Sequence, residues 1–320
     1  MSALAEAAPG RRDRYRTRSR LGGIVRAAGL LCASALMLAY VLGPVAWMVS
    51  SSLQSEAEIT SVPPHWIPDH PTARNFLAIV ERPAATVTYE NRAKADPSSG
   101  GYIPSTARNL LPAMANSLLV AGAVVLLNLL VGIPAAYALA MIRFRGRSGA
   151  VYAILSTRVV PDIALVVPFF LFIRKLGLLD SLGSLIITYL AITVPFSVFI
   201  LVSYFEGLPA ELDKAARVDG CSRWQALLHV FLPLAVPSLV AVVLFAFLAS
   251  WNEFLLALMF TQTIASQTVP IVVASFASDF TISFSFINAA GVIAVIPPVL
   301  LALLFERHIV AGLTAGAVKG

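Results

Sequence analysis

Glu211-Leu212-Asp213-Lys214-Ala215-Ala216-Arg217-Val218-Asp219-Gly220, with Val230 and Leu232-Pro233 behind it, is the stretch that decides the fold. It is a short polar island between two long apolar segments, and it reads as two helices joined by a glycine turn. Pro209 suits a first helical position. Leu212, Ala215, Ala216 and Asp219 then fall on one helical face. Gly220 takes the left-handed conformation that ends a helix cheaply. Ser222, with Gln225 three residues on, forms a capping box that starts the second helix. Pro233 ends that helix or begins the next. A rigid, charged helical hairpin of this kind suits a groove on a soluble partner; an ordinary amphipathic loop is the plainer alternative.

The surroundings of the island are those of a membrane protein. Of the 320 residues 58% are hydrophobic and only 12% charged, and the charges cluster between apolar blocks. Apolar stretches near twenty residues long mark membrane spans. Six are read, at residues 24–50, 111–141, 149–173, 184–205, 234–258 and 284–305. The fold class is therefore all-α and polytopic, with one membrane domain over residues 24–305. A basic tail (1–23) precedes it, an outside loop (51–109) and a cytoplasmic hairpin (206–233) interrupt it, and a tail (306–320) follows.

Orientation follows from lysine and arginine. Six arginines lie between Arg11 and Arg20; Arg143, Arg145 and Arg147 follow the second span; Lys214, Arg217 and Arg223 sit in the hairpin; Arg307 and Lys319 lie in the tail. With six spans all of these share one side, so both termini are cytoplasmic. The net charge of +6 reflects this topology and not nucleic-acid binding. The first apolar stretch is too long for a signal-peptide core and is treated as retained. Cys32 lies in a span and Cys221 in the hairpin, with no disulfide or metal-ligand partner in prospect.

In the outside loop, residues 72–80 fit a short amphipathic helix, and residues 83–106 read as polar and turn-rich. Pro44, Pro134, Pro161, Pro168, Pro195, Pro237, Pro297 and Pro298 fall inside spans, where neighbouring helices can satisfy the freed carbonyls. No catalytic set is present. His65, His70, His229 and His308 have no metal-ligand spacing, and no nucleotide-binding glycine loop occurs, so no metal or cofactor site is read in this chain.

Charged residues inside spans default to a functional reading. Arg158 and Asp162, four apart, are expected to share a helix face and pair near an inner gate; a self-neutralising structural pair is the alternative. Trp251, Asn252 and Glu253 together suit the hydroxyls of a sugar. The alternative there is an interfacial tryptophan beside a glutamate that reaches the outer headgroups.

The hairpin resembles the EAA loop of ABC-importer permeases, roughly Glu-Ala-Ala, three residues, Gly, nine residues, Ile, one residue, Leu-Pro. Ala215, Ala216, Gly220, Val230, Leu232 and Pro233 fall on that spacing. Lys214 replaces the motif's glutamate, with Glu211 and Asp213 keeping acidic charge nearby. The resemblance extends to Asn116-Ser-Leu118, Ala135-Ala-Tyr-Ala-Leu139, Arg143-Phe-Arg-Gly146, Thr157-Arg-Val-Val-Pro161, Leu176-Gly-Leu-Leu-Asp-Ser181, Trp251-Asn-Glu-Phe254 and the tail from Val310 to Gly320. Together these resemble the six-span, maltose-transporter-type permease subunit of carbohydrate ABC importers. Two features depart from the pattern: a longer outside insertion near 83–106, and Asp162 where a second proline is commoner.

The resemblance implies a type I importer permease fold and a second, homologous permease. It also implies two ATPase subunits that bind the ATP, an extracytoplasmic solute-binding protein and a sugar substrate. Glu211, Asp213, Lys214, Ala215, Ala216, Asp219 and Gly220 would couple to the ATPase, and the tail would contact the ATPase pair. A polyol or glycerol-phosphate-type solute is the alternative within the class. A secondary transporter using Arg158, Asp162 and Glu253 is the alternative from another class.

Overall fold

The computed structural model describes residues 11–81, 105–209, 211–277 and 284–317. Among these, every regular element is helical. The outer part of the 83–106 insertion and the final residues of the tail lie outside the described residues.

The first helix, α1 (Arg11–Ser52), takes in the basic run that the sequence assigns to a solvated tail. Arginine is a good helix former, and no proline stands between Arg11 and Pro44, so the span's helix propagates back through the charges. The segment that the sequence reading places outside then folds as α2 (Glu56–Ile59) and α3 (Arg74–Glu81). The expected amphipathic helix at 72–80 is thus present. It buries Asn75, Ala78 and Ile79 and leaves Leu77 and Val80 outward. A 3-10 turn, Ser105–Asn109, leads into α4 (Leu110–Met141).

The third expected span is not one helix. α5 (Arg147–Ser156) and its 3-10 extension to Val159 meet α6 (Asp162–Lys175) at 97°. Pro161 explains the break: it forces the preceding residue out of the helical region, and Val160 is extended at φ −74°, ψ 123°. α7 (Leu182–Glu206) is continuous despite Pro195. The hairpin is α8 (Glu211–Val218) and α9 (Arg223–Leu234), and α9 meets α10 (Val236–Trp251) at 81°.

The fifth expected span, 234–258, likewise straddles a break. α10 stops at Trp251, and a short α11 (Leu255–Phe260) follows. α12 (Val269–Ser275) and α13 (Phe284–Ala317) close the chain. The backbone of α13 runs on as helix well past residue 305, where the sequence reading ends the span.

Among the described residues four helices are long and apolar enough to cross a membrane, and the two bent pairs bring the number to six if each is one broken span. α4 and α7 form the central pair; α10 packs on both and on α13, and α1 lies against α13. Gly291 permits that last approach, since a Cβ there would come within 2.9 Å of Met48 Sδ. The remaining surface of α1 exposes Leu30, Leu31, Leu36 and Met37, as a lipid-facing helix must.

The buried side chains form three clusters. The cluster at the hairpin end centres on Tyr137, Leu201, Phe205, Leu227 and Phe231. One at the far end centres on Ile79, Leu110, Trp251, Phe276 and Phe286. A third joins Val124 of α4 to Ile173, Leu185, Tyr189 and Phe260.

Candidate functional site

The hairpin is built as its residues require. α8 carries Glu211 and Asp213 in its first turn and Arg217 in its last, each charge favourable to the helix dipole. It ends in a Schellman motif: Cys221 N–H donates to the Ala216 carbonyl at 2.9 Å, and Gly220 N–H to the Arg217 carbonyl at 3.2 Å. Gly220 stands at φ 84°. α9 opens with the expected capping box, Ser222 Oγ accepting from Gln225 N–H at 3.3 Å and Gln225 Oε1 accepting from Ser222 N–H at 2.8 Å.

Two contacts bind the hairpin to the bundle. Tyr137 Oη, near the end of α4, donates to Asp213 Oδ1 at 3.0 Å. Leu227 and Phe231 of α9 sink into the cluster shared with α4 and α7, where Phe231 meets Tyr137 edge to face at 5.2 Å. Beside this, Arg147 pairs with Glu206 and so fastens the start of α5 to the end of α7.

The two alanines of the motif part company. Ala216 is buried against the chain itself, whereas Ala215 is exposed with Glu211, Lys214, Asp219 and Gly220. Spacing places Ala215 and Ala216 on one face of an isolated helix; in the folded hairpin only Ala216 turns inward. The outward surface also carries Val218, Trp224 and Leu228, which are 87%, 63% and 52% exposed. Apolar side chains this exposed, among charges and at an end of the bundle, form a patch that invites a partner.

The expected Arg158–Asp162 pair does not form. The 97° bend separates the two residues onto different helices, and among the described residues no ion pair joins them. Arg158 instead donates from Nη1 to the Ile192 carbonyl of α7 at 3.0 Å. That carbonyl lies three residues before Pro195, in the stretch of ladder a proline disturbs. Asp162 opens α6, where a carboxylate meets the positive end of the dipole.

The Trp251-Asn252-Glu253 group sits at the break between α10 and α11 and is not a common surface. Trp251 is buried and stacks on Phe247 at 5.5 Å. Glu253 turns inward: its Oε1 accepts from Leu256 N–H at 2.7 Å and its Oε2 from Ala257 N–H at 3.1 Å, capping α11. Tyr189 Oη, buried in α7, donates to Oε2 at 2.7 Å. Only Asn252 presents its polar group outward. A carboxylate at a helix start also meets the positive end of the helix dipole. The charged route of a secondary transporter is not assembled, because Arg158, Asp162 and Glu253 engage different partners.

A polar knot at the far end goes beyond what the spacing indicates. Asp180, at φ 58°, accepts at Oδ1 from Gln262 N–H (2.8 Å), from Thr263 N–H (2.9 Å) and from the Ser266 hydroxyl. Its Oδ2 accepts from Thr263 Oγ1 at 2.8 Å. These donors hold the carboxyl well below the usual carboxylate range, the Ser266 hydroxyl foremost. On the other side of loop 261–268, Asn116 Nδ2 donates to the Ile264 and Gln267 carbonyls at 3.1 and 2.9 Å, and Ser117 Oγ accepts from Val269 N–H at 2.9 Å. The one available signal was that Asn116, Ser117 and Asp180 are polar residues at the edges of apolar runs. Their common target appears only when α4, α7 and α11 are assembled.

An all-helical bundle with broken spans and a cap-and-turn hairpin at one end defines a membrane permease of the importer type. The chain belongs to the family described as binding-protein-dependent transport system inner membrane component, whose profile matches residues 128–314. It is 33% identical over 289 residues to the sulfoquinovosyl glycerol transport system permease protein SmoH of Agrobacterium fabrum, covering 90% of this chain and 92% of that one. It is 43% identical over 206 residues to the trehalose/maltose transport system permease protein MalG of Thermococcus litoralis, covering 64% and 74%. Its fold matches a chain of a bacterial ABC transporter involved in the import of the acidic polysaccharide alginate, with a TM-score of 0.72 at 21% identity over 96% of this chain and 100% of that chain. The fold is thus the type I importer permease fold.

Proposed function

We propose that this chain is the six-span permease subunit of an ATP-driven, binding-protein-dependent importer of a carbohydrate or glycoside, with both termini and the hairpin in the cytoplasm. A second, homologous permease would complete the pathway, two ATPase subunits would bind the ATP, and an extracytoplasmic binding protein would deliver the solute. The solutes named for SmoH (sulfoquinovosyl glycerol) and MalG (trehalose and maltose) are glycosides and support the solute class.

One observation carries the coupling role. The hairpin is stiffened at both ends of its turn, bonded to α4 through Tyr137 and Asp213, and exposed over Lys214, Ala215, Val218, Asp219 and Trp224. A load applied to that outer face reaches α4 through Asp213 and α10 through α9. α10 in turn ends beside the Glu253 cap and loop 261–268 at the opposite membrane face. Closure of the ATPases would rock these helices together and alternate access to the pathway. Asn252, at the C-terminal end of α10, is the polar side chain of the far-end group available to solute.

The test is a cysteine at Val218 in the assembled complex. It should crosslink to the ATPase, and the crosslink should abolish ATP-driven sugar uptake into proteoliposomes while leaving the complex intact. Uptake that proceeds without any ATPase subunit would overturn the reading.

A further inference from the structure

Ligand-type side chains meet at a second place, on the outside segment behind α2. The segment is held by bonds at each of its turns. Gln54 Nε2 donates to the His65 carbonyl at 2.7 Å, Asp69 N–H to Glu58 Oε1 at 2.6 Å, and Thr72 N–H to the Leu53 carbonyl at 2.8 Å. Asn75 Nδ2 donates to the Ser52 and Gln54 carbonyls at 2.9 and 3.1 Å. The Gln54, Thr72 and Asn75 bonds fix the backbone without the side chains of His65 and Asp69, and the Glu58 carboxylate is itself held in place by the Asp69 N–H.

Those three side chains bring one ligand atom each to within 4.8 Å of the others. His65 Nδ1 lies 2.9 Å from Asp69 Oδ2 and 4.0 Å from Glu58 Oε1. Nevertheless Nδ1 is buried without a hydrogen-bond partner. The nitrogen and the carboxylate stand side by side and are not aimed at each other. A buried imidazole nitrogen left in this way needs an explanation. Ligand atoms about 3–4 Å apart are what a cation with bonds of about 2.0–2.2 Å holds around itself.

We propose that Glu58, His65 and Asp69 bind a divalent transition-metal ion of the Zn²⁺ class. One imidazole with two carboxylates suits such an ion better than Ca²⁺ or Mg²⁺, which favour all-oxygen shells. The two carboxylates offset the ion's charge, and His65 ligates through Nδ1. Water from the adjoining cavity of about 510 Å³, which His70 and Arg74 also line, completes the coordination. The ion would tie α2 to the segment carrying His65 and Asp69, on the face away from the hairpin. The chain spacing of these residues carries no familiar metal signature, because the ligands come from a four-residue helix and an irregular loop.

The experiment uses the purified full-length permease in its complex, titrated with Zn²⁺ against a colorimetric chelator, and with Co²⁺ as a spectroscopic substitute. One equivalent per chain is expected, with an absorption spectrum showing nitrogen–oxygen coordination. His65→Ala and Asp69→Asn should each weaken binding more than about tenfold, while His70→Ala on the same cavity should not. Zn²⁺ should also slow amide hydrogen exchange at residues 58–69 in the parent and not in His65→Ala, which reports on the site even if a variant is made in low yield. Zn²⁺ uptake that is absent, or that is lost equally in His70→Ala, overturns the proposal. Neither readout depends on transport, so the result stands apart from the importer assignment.

Discussion

The sharpest consequence of the hairpin geometry concerns Gly220. At φ 84° a residue with a Cβ is strained by about 1–2 kcal/mol. A Cβ built at this position would meet no atom within 4 Å, so the cost is backbone strain alone and not collision. That energy corresponds to a loss of roughly 5–30-fold in the population that keeps the Schellman turn. The effect should therefore follow tolerance of the left-handed region and not side-chain volume. Gly220→Asn should retain most ATP-driven uptake, since asparagine enters that region readily. Gly220→Ala should lose more, and Gly220→Val most. Membrane insertion should be unchanged throughout, because the spans do not involve the turn. Uptake, ATPase co-purification and membrane abundance, measured together on the three variants, check this. Normal uptake in a well-inserted Gly220→Val variant, or equal damage from asparagine and valine, would refute the reasoning and remove the hairpin from the coupling route.

Loss of the Glu253 carboxylate removes a helix cap and the Tyr189 bond, so Glu253→Ala should destabilise the solubilised complex by about 1–3 kcal/mol, read as a lowered Tm. Glu253→Gln, which keeps one acceptor, should be milder, while Asn252→Ala should leave Tm unchanged and alter uptake. For Asp180 the folded-state pKa is depressed, so its contribution is full above the ordinary carboxylate pKa of about 4 and is lost as pH falls through the folded value. The Tm gap between the parent and Asp180→Asn should accordingly be constant from pH 8 to pH 5 and should close in more acid solution. Cysteines introduced at Arg145 and Ser61 should label from opposite faces of the membrane, the former from the cytoplasm; labelling of both from one face would refute the topology.

Local chemistry was legible in the residues themselves. The apolar runs, the Gly220 turn and the Ser222–Gln225 box each depend on neighbours a few positions away; the turn and the box appear in the structure as read, and the apolar runs appear as helices, two of them bent or broken. The amphipathic helix before Glu81 belongs with them. Spacing failed where a proline broke the period on which the inference rested. Arg158 and Asp162 share a face only if the helix continues through Pro161, and it does not.

It failed again where a side chain's direction is set by distant elements. Nothing near Ala216 in the chain shows that it will be buried while Ala215 is not, and nothing near Glu253 shows that Tyr189, 64 positions away, will draw the carboxylate inward. The sequence by itself determined the class of the protein, its apolar runs and the hairpin, because hydrophobic burial in a bilayer and helix capping are local requirements. Only the tertiary structure decided which polar groups face the interior and which remain available, because hydrogen-bond satisfaction in a packed bundle depends on which helices are adjacent.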